Sequence, residues 1–141
     1  VNCIRWAHAW DQSGAESADW VAAQRAMEVE LALWTDPLYF GDYPAPFAPH
    51  VEDGRLKAFT AEESALLRGS VDFFGLNYYT SRWVRHAGPE EDPGGSLAYA
   101  PDDAVWPAVS FQERPGGGRA IGAHAESPWL YAAPGGMRNT L

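Results

Sequence analysis

Several residue types are scarce in this 141-residue chain, and each scarcity excludes something. Cys3 is the single cysteine, so no intrachain disulfide can form and no thiolate cluster can hold a metal. Four histidines, His8, His50, His86 and His124, are scattered without the spacing of metal ligands, and they read as ordinary surface or packing residues. No metal or organic cofactor is implied. Positive charge is also short: ten Lys and Arg, with Lys57 the only lysine, face 19 Asp and Glu, for a formal net charge of −9. A nucleic-acid backbone binder needs clustered cations to release counterions, so no nucleic-acid partner is expected. No apolar run approaches the roughly 18 residues a membrane-spanning helix requires, so no membrane partner is expected either.

Hydrophobic residues make up 46% of the chain and aromatics 13%, including seven Trp, which is too apolar for a wholly disordered protein. Gly and Pro contribute 14 and 11 residues. Residues 1–10, VNCIRWAHAW, read as a short strand, and 11–18 as a polar turn. From 19 to 34 a helix is expected, with Asp19 as N-cap. Trp20, Ala23, Met27, Leu31 and Trp34 recur at steps of three and four and predict one core-facing stripe. The helix should stop at Thr35-Asp36-Pro37, because the residue before a proline avoids helical geometry. Residues 36–58 carry four prolines and predict an ordered loop.

Thr60 and Glu63 have capping-box spacing, and Gly69 suits the left-handed position beyond a helix end, so a short helix is expected over 60–69. The nearly continuous apolar run 71–76 then predicts a strand buried on both faces, continuing to Ser81. Strand, helix, helix and buried strand in succession indicate an α/β fold. From 86 to 120 the composition shifts to six Gly and five Pro, and 86–113 holds six acids with no Lys or Arg. This stretch reads as a long Gly/Pro-rich loop within one unit spanning 1–141. Met137 to Leu141 predicts the first turn of a final helix.

Candidate chemistry concentrates in GSVDFFGLNYYTS, residues 69–81. Strand alternation puts Phe73, Gly75, Asn77 and Tyr79 on one face, and Phe74, Leu76 and Tyr78 on the other. Asn77 and Tyr79 fall at the C-terminal end of this expected strand. An amide beside a phenol there can hydrogen-bond a carboxylate or a sugar hydroxyl; the alternative is that both cap the strand or tie down a loop.

Three segments, AAQRAMEVELALWTDPLYFGDYP at 22–44, RLKAFTAEESALLRGSVDFFGLNYYTS at 55–81 and SPWLYAAPGGMR at 127–138, resemble glycoside hydrolase family 1, the β-glucosidase and myrosinase group, in wording, spacing and order. The resemblance implies a partial (β/α)8 TIM barrel. Residues 1–10 would lie near its strand 5, 20–34 on the following helix, 71–79 on strand 6, 82–126 in the loop after it and 127–141 at the lead-in to helix 6. It implies a β-glucoside or related sugar as substrate of the full-length protein. Asn77 matches the family's asparagine at the end of the sixth strand, and Tyr79 the tyrosine whose hydroxyl orients the nucleophilic glutamate. Trp34, the GDYP turn and Trp129 match as well and are expected to serve packing.

Retaining hydrolysis needs two carboxylates about 5 Å apart. The family supplies them from T-x-N-E-P and T-E-N-G motifs, and neither occurs in these 141 residues. The chain's own acids do not replace them: Glu62 and Glu63 sit in a capping turn, Glu28 and Glu30 on the expected exposed side of a helix, and Glu90, Glu91 and Asp92 in the acidic run. A barrel takes about 250 residues, so the expectation is an internal segment that is inactive alone. The alternatives are a non-catalytic sugar-binding or interaction module, and a non-functional truncated product.

Overall fold

A computed structural model describes residues 2–9, 17–86, 108–111 and 120–140. The expected turn over 11–16, the acids at 90–92 and most of the 86–120 loop lie outside the described residues. The first strand is present as β1 (Asn2–Ala9). Helix α1 (Ala18–Met27) follows, with the Ser17 side chain, not Asp19, accepting from the Trp20 amide as N-cap. Asp19 instead sits in the first turn, and its carboxylate accepts the His86 amide at 2.8 Å, tying the helix to a distant strand.

The helix does not stop before Pro37. It passes through a wide π segment (Glu28–Ala32), where the Leu33 amide reaches back five residues to the Glu28 carbonyl. It then continues as α2 (Leu33–Phe40), with Pro37 inside it and buried. Proline's fixed φ already suits a helix, so the cost is one missing donor and crowding of the preceding turn. The stop comes at Gly41, in the left-handed region at φ 85°. A Cβ there would meet the Ser64 hydroxyl at 2.7 Å and the Ser64 carbonyl at 2.8 Å, so only glycine lets the two helical segments approach.

The extra residue in the π turn rotates everything after it, and the predicted aromatic stripe fails for that reason. Trp20 and Trp34 are exposed. The buried residues are Ala22, Ala23 and Ala26, which pack with Val84 and Met27, and then Val29, which joins Phe47, Leu33, Tyr43 and Leu56. Alanine at the contact lets α1 lie close to the sheet.

The stretch expected to be a loop over 36–58 holds, besides the end of α2, a short 3-10 turn (Ala45–Phe47) and α3 (Ala48–Glu52). Pro46 and Pro49 lie within the first two positions of these turns, where a missing amide proton costs nothing. Tyr43 stacks on Phe59 with centroids 4.5 Å apart. Helix α4 (Ala61–Leu67) carries the expected capping box, with Thr60 and Glu63 satisfying each other's amides at 2.8 and 3.1 Å. Gly69 is left-handed at φ 73°, and its amide donates to the Leu38 carbonyl.

The second strand differs from expectation at both ends. Strand β2 runs Leu76–His86, so 71–75 lie outside it, and Phe73 is 82% exposed. Strands β1 and β2 pair in parallel, and β3 (Ala108–Phe111) pairs antiparallel with the far end of β2, giving the order β1-β2-β3. Within the Gly/Pro-rich stretch there is therefore a strand. Short β4 (Ala123–His124) and β5 (Tyr131–Ala132) form an antiparallel pair, and α5 (Pro134–Thr140) begins three residues before the predicted turn.

Candidate functional site

Asn77 and Tyr79 occupy the second and fourth positions of β2, near its N-terminal end and not, as expected, at its C-terminal end. The apolar run that fixed the expected strand start is not paired, which moves the strand forward along the chain. Their shared face is as predicted: Leu76 and Tyr78 are half-buried, while Asn77 and Tyr79 are exposed.

Tyr79 is also the residue where the parallel register slips. Ile4 lies opposite Tyr78 and Arg5 opposite Thr80, so Tyr79 has no partner on β1. Such a bulge breaks strict alternation and re-aims a side chain. Beyond it Thr80, Ser81 and Arg82 are all buried. Tyr79 points its ring at Trp129, edge to face at 6.2 Å, and both rings stay about half exposed. Trp129, expected to serve packing, thus stands beside the candidate site. Trp34 is likewise exposed, whereas Gly41, Tyr43 and Pro44 of the GDYP turn are buried or half-buried.

The residues flanking the bulge hold the Trp129 segment in place. The Tyr78 hydroxyl donates to the Ala133 carbonyl and lies 2.6 Å from the Ser81 hydroxyl. Burial pushes the Tyr78 phenol above its ordinary pKa, with the Ser81 hydrogen bond opposing. The Thr80 hydroxyl donates to the Tyr131 carbonyl at 2.9 Å and accepts the Tyr131 amide at 3.3 Å. Sequence reading missed this clamp, because nothing local links positions 51 residues apart.

A concavity of about 460 Å³ lies near α5, lined by Trp83, Ile121, Gly122, Ala132, Pro134 and Gly136 among others. Neither Asn77 nor Tyr79 lines it, and its walls carry no acid, base or nucleophile. Gly122 is required beside it: a Cβ there would fall 2.0 Å from the Ala132 carbonyl oxygen.

The carboxylates divide as expected in one place and not in another. Glu63 is exposed to solvent at its helix start, and the Thr60 amide, then Lys57, lower its pKa. Glu28 and Glu30 are half-buried, not on an exposed face. Burial raises the Glu28 pKa; Arg25 opposes the shift and Asp36 adds to it. The π turn is the physical reason, since it turns these acids toward the body of the protein. The Thr60–Glu63 and Tyr79–Trp129 arrangements lie on separate elements, and no described pair of carboxylates converges on Asn77 or Tyr79. What the Asn77–Tyr79–Trp129 face offers is an amide, a phenol and a flat apolar wall, which suits hydrogen bonding and stacking.

Residues 3–141 match the profile of glycosyl hydrolase family 1. Beta-glucosidase 6 of Oryza sativa subsp. japonica is 39% identical over 120 residues, covering 85% of this chain and 22% of its own length. The crystal structure of a rice β-glucosidase superposes with a TM-score of 0.77 at 34% identity, over 98% of this chain and 27% of that one. A β-glucosidase from the fungus Humicola insolens, solved in complex with glucose, gives a TM-score of 0.77 at 31% identity, over 98% and 26%. These neighbours are TIM barrels, and the chain is an α/β segment of that architecture. It spans about a quarter of the length of the relatives it matches. The chain belongs to glycosyl hydrolase family 1.

Proposed function

We propose that this chain is a segment of a retaining β-glycosidase with β-glucosidase-like specificity. In this reading β1 and β2 are strands 5 and 6 of the barrel, and the catalytic glutamates come from flanking sequence. The observation that carries it is the parallel β1–β2 pair of a family 1 chain presenting Asn77 and Tyr79 together, exposed, beside Trp129. In the assembled barrel one glutamate attacks the anomeric carbon while the other protonates the leaving oxygen. Water then releases the sugar, with the second glutamate acting as base. Asn77 supplies an amide for a sugar hydroxyl. The Tyr79 hydroxyl orients the nucleophile and stabilises its carboxylate, which must be ionised to attack.

Hydrolysis of an aryl β-glucoside tests the proposal at two lengths. The 141-residue chain alone is expected to give no turnover. Turnover abolished by mutating one of its own acids would overturn the assignment of the glutamates to flanking sequence. In the complete coding product, Tyr79→Phe is expected to lower kcat by about 10²-fold, the scale of one lost preorganised hydrogen bond in an active site. An unchanged kcat removes Tyr79 from the machinery. Reading the coding sequence on both sides for N-E-P and T-E-N-G motifs decides the family chemistry directly.

A further inference from the structure

The buried Thr80 hydroxyl has a geometry that packing alone does not require. It bonds both backbone groups of one residue, donating to the Tyr131 carbonyl at 2.9 Å and accepting the Tyr131 amide at 3.3 Å. Thr80 is 0% exposed and Tyr131 6%, so water cannot take over either bond. In effect one side chain replaces a rung of a β ladder. Strand β5 pairs with β4 on one side, and Thr80 of β2 holds it on the other. Tyr78 adds a second anchor two residues along, at Ala133. Positions 78 and 80 therefore grip 133 and 131 in antiparallel order, and they are the two residues that flank the bulged Tyr79. Trp129 lies two residues before Tyr131, and it is this indole that meets the Tyr79 ring.

We propose that Thr80 is a positioning residue: through the Tyr131 backbone it sets the Trp129 indole against the ring of Tyr79, and so fixes the orientation of the candidate site's phenol. The inference builds on the reading of Tyr79 as a site residue, but its test does not depend on hydrolase activity. A bulge frees the Tyr79 side chain from the strand's alternation, so another contact must define its direction. An edge-to-face aromatic contact is weak by itself, at about 0.5–1.5 kcal/mol, and it holds one orientation only if its partner is already fixed. The two bonds to Tyr131 fix that partner.

The test is nuclear Overhauser contacts between the Tyr79 ring and the Trp129 indole in the chain, with Trp129→Phe used to assign the indole. Thr80→Ser keeps the hydroxyl and is expected to keep the contact. Thr80→Val keeps the shape, loses the hydroxyl and is expected to lose the contact while β1–β2 cross-strand contacts persist. A contact retained in Thr80→Val, or lost in Thr80→Ser, overturns the proposal. Should Thr80→Val fail to fold, hydrogen exchange in the unaltered chain decides. The Tyr131 amide is expected to exchange at least about tenfold more slowly than that of exposed His124, and equal rates overturn the proposal. Activity of the complete protein enters neither arm, so a failure here leaves the β-glycosidase reading standing, and the reverse also holds.

Discussion

Two corners of this molecule are held together by different means. The helical corner over 33–69 is built from contacts between near neighbours. Its capping box spans three residues, the Lys57–Glu63 pair six, and Gly41 and Gly69 end their own helices. The sheet corner around β2 is held by groups far apart in sequence: Thr80 with Tyr131, Tyr78 with Ala133 and His86 with Asp19. The helical corner is rich in solvent-exposed bonds that water can replace. The sheet corner holds buried ones that water cannot reach. The difference teaches where single substitutions should matter, and it can be broken from either side.

The largest effect is expected in the sheet corner. Gly122→Ala would set a Cβ 2.0 Å from the Ala132 carbonyl oxygen and 2.7 Å from its carbon, both backbone atoms that cannot swing aside. Strands β4 and β5 must then part. Overpacking of this kind costs about 3 kcal/mol. A lowered urea midpoint together with loss of the Tyr79–Trp129 contact is the expected result. An unchanged midpoint would show that β5 is not held where the long-range bonds place it.

A smaller effect is expected in the helical corner. Thr60→Ala removes the hydroxyl that accepts the Glu63 amide, but this helix start faces solvent. Water substitutes in part, so the cost should be about 1 kcal/mol, with Thr60→Ser restoring the cap. Far-UV circular dichroism and the urea midpoint measure it. A loss as large as that of Gly122→Ala would erase the distinction between the corners.

The same contrast explains what could be read from the sequence. The capping box, the left-handed Gly69 and the face shared by Asn77 and Tyr79 depend on spacing within a few residues, and spacing is written in the chain. The start of β2 depends on which strand lies alongside, and the apolar run 71–76 pointed to pairing that Phe73 and Phe74 do not have. The Trp20–Trp34 stripe assumed an uninterrupted 3.6-residue period, and the π turn at Glu28–Ala32 adds a residue that no local signal announced. Helix α2 passing through Pro37 is the same kind of miss: tertiary burial of Pro37 outweighed a local preference. For the site, family resemblance supplied Asn77 and Tyr79. The clamp that holds Trp129 beside Tyr79 needed the fold.

The smallest effects are expected from two carboxylates with opposite pH signatures. Glu63 has its folded pKa lowered, first by the Thr60 amide and then by Lys57. Its contribution is present above its usual value of 4.5 and is lost as pH falls through the depressed folded value. Glu28 is the reverse case. Burial raises its folded pKa; Arg25 opposes the shift and the charge of Asp36 adds to it. As pH rises above 4.5, the unfolded chain releases this proton first, so stability falls until the folded value is passed and then stays constant. Glu28→Gln is therefore expected to raise the urea midpoint slightly at pH 7, with the gain vanishing at pH 4. Glu63→Gln is expected to lower the midpoint at pH 7, with the loss shrinking toward acid. Half of Glu28 faces the body of the protein because of the π turn, so its sign reports that turn directly. A Glu28→Gln gain that persists unchanged at pH 4 would trace to side-chain packing rather than charge, and the π turn would then not be what burdens this acid.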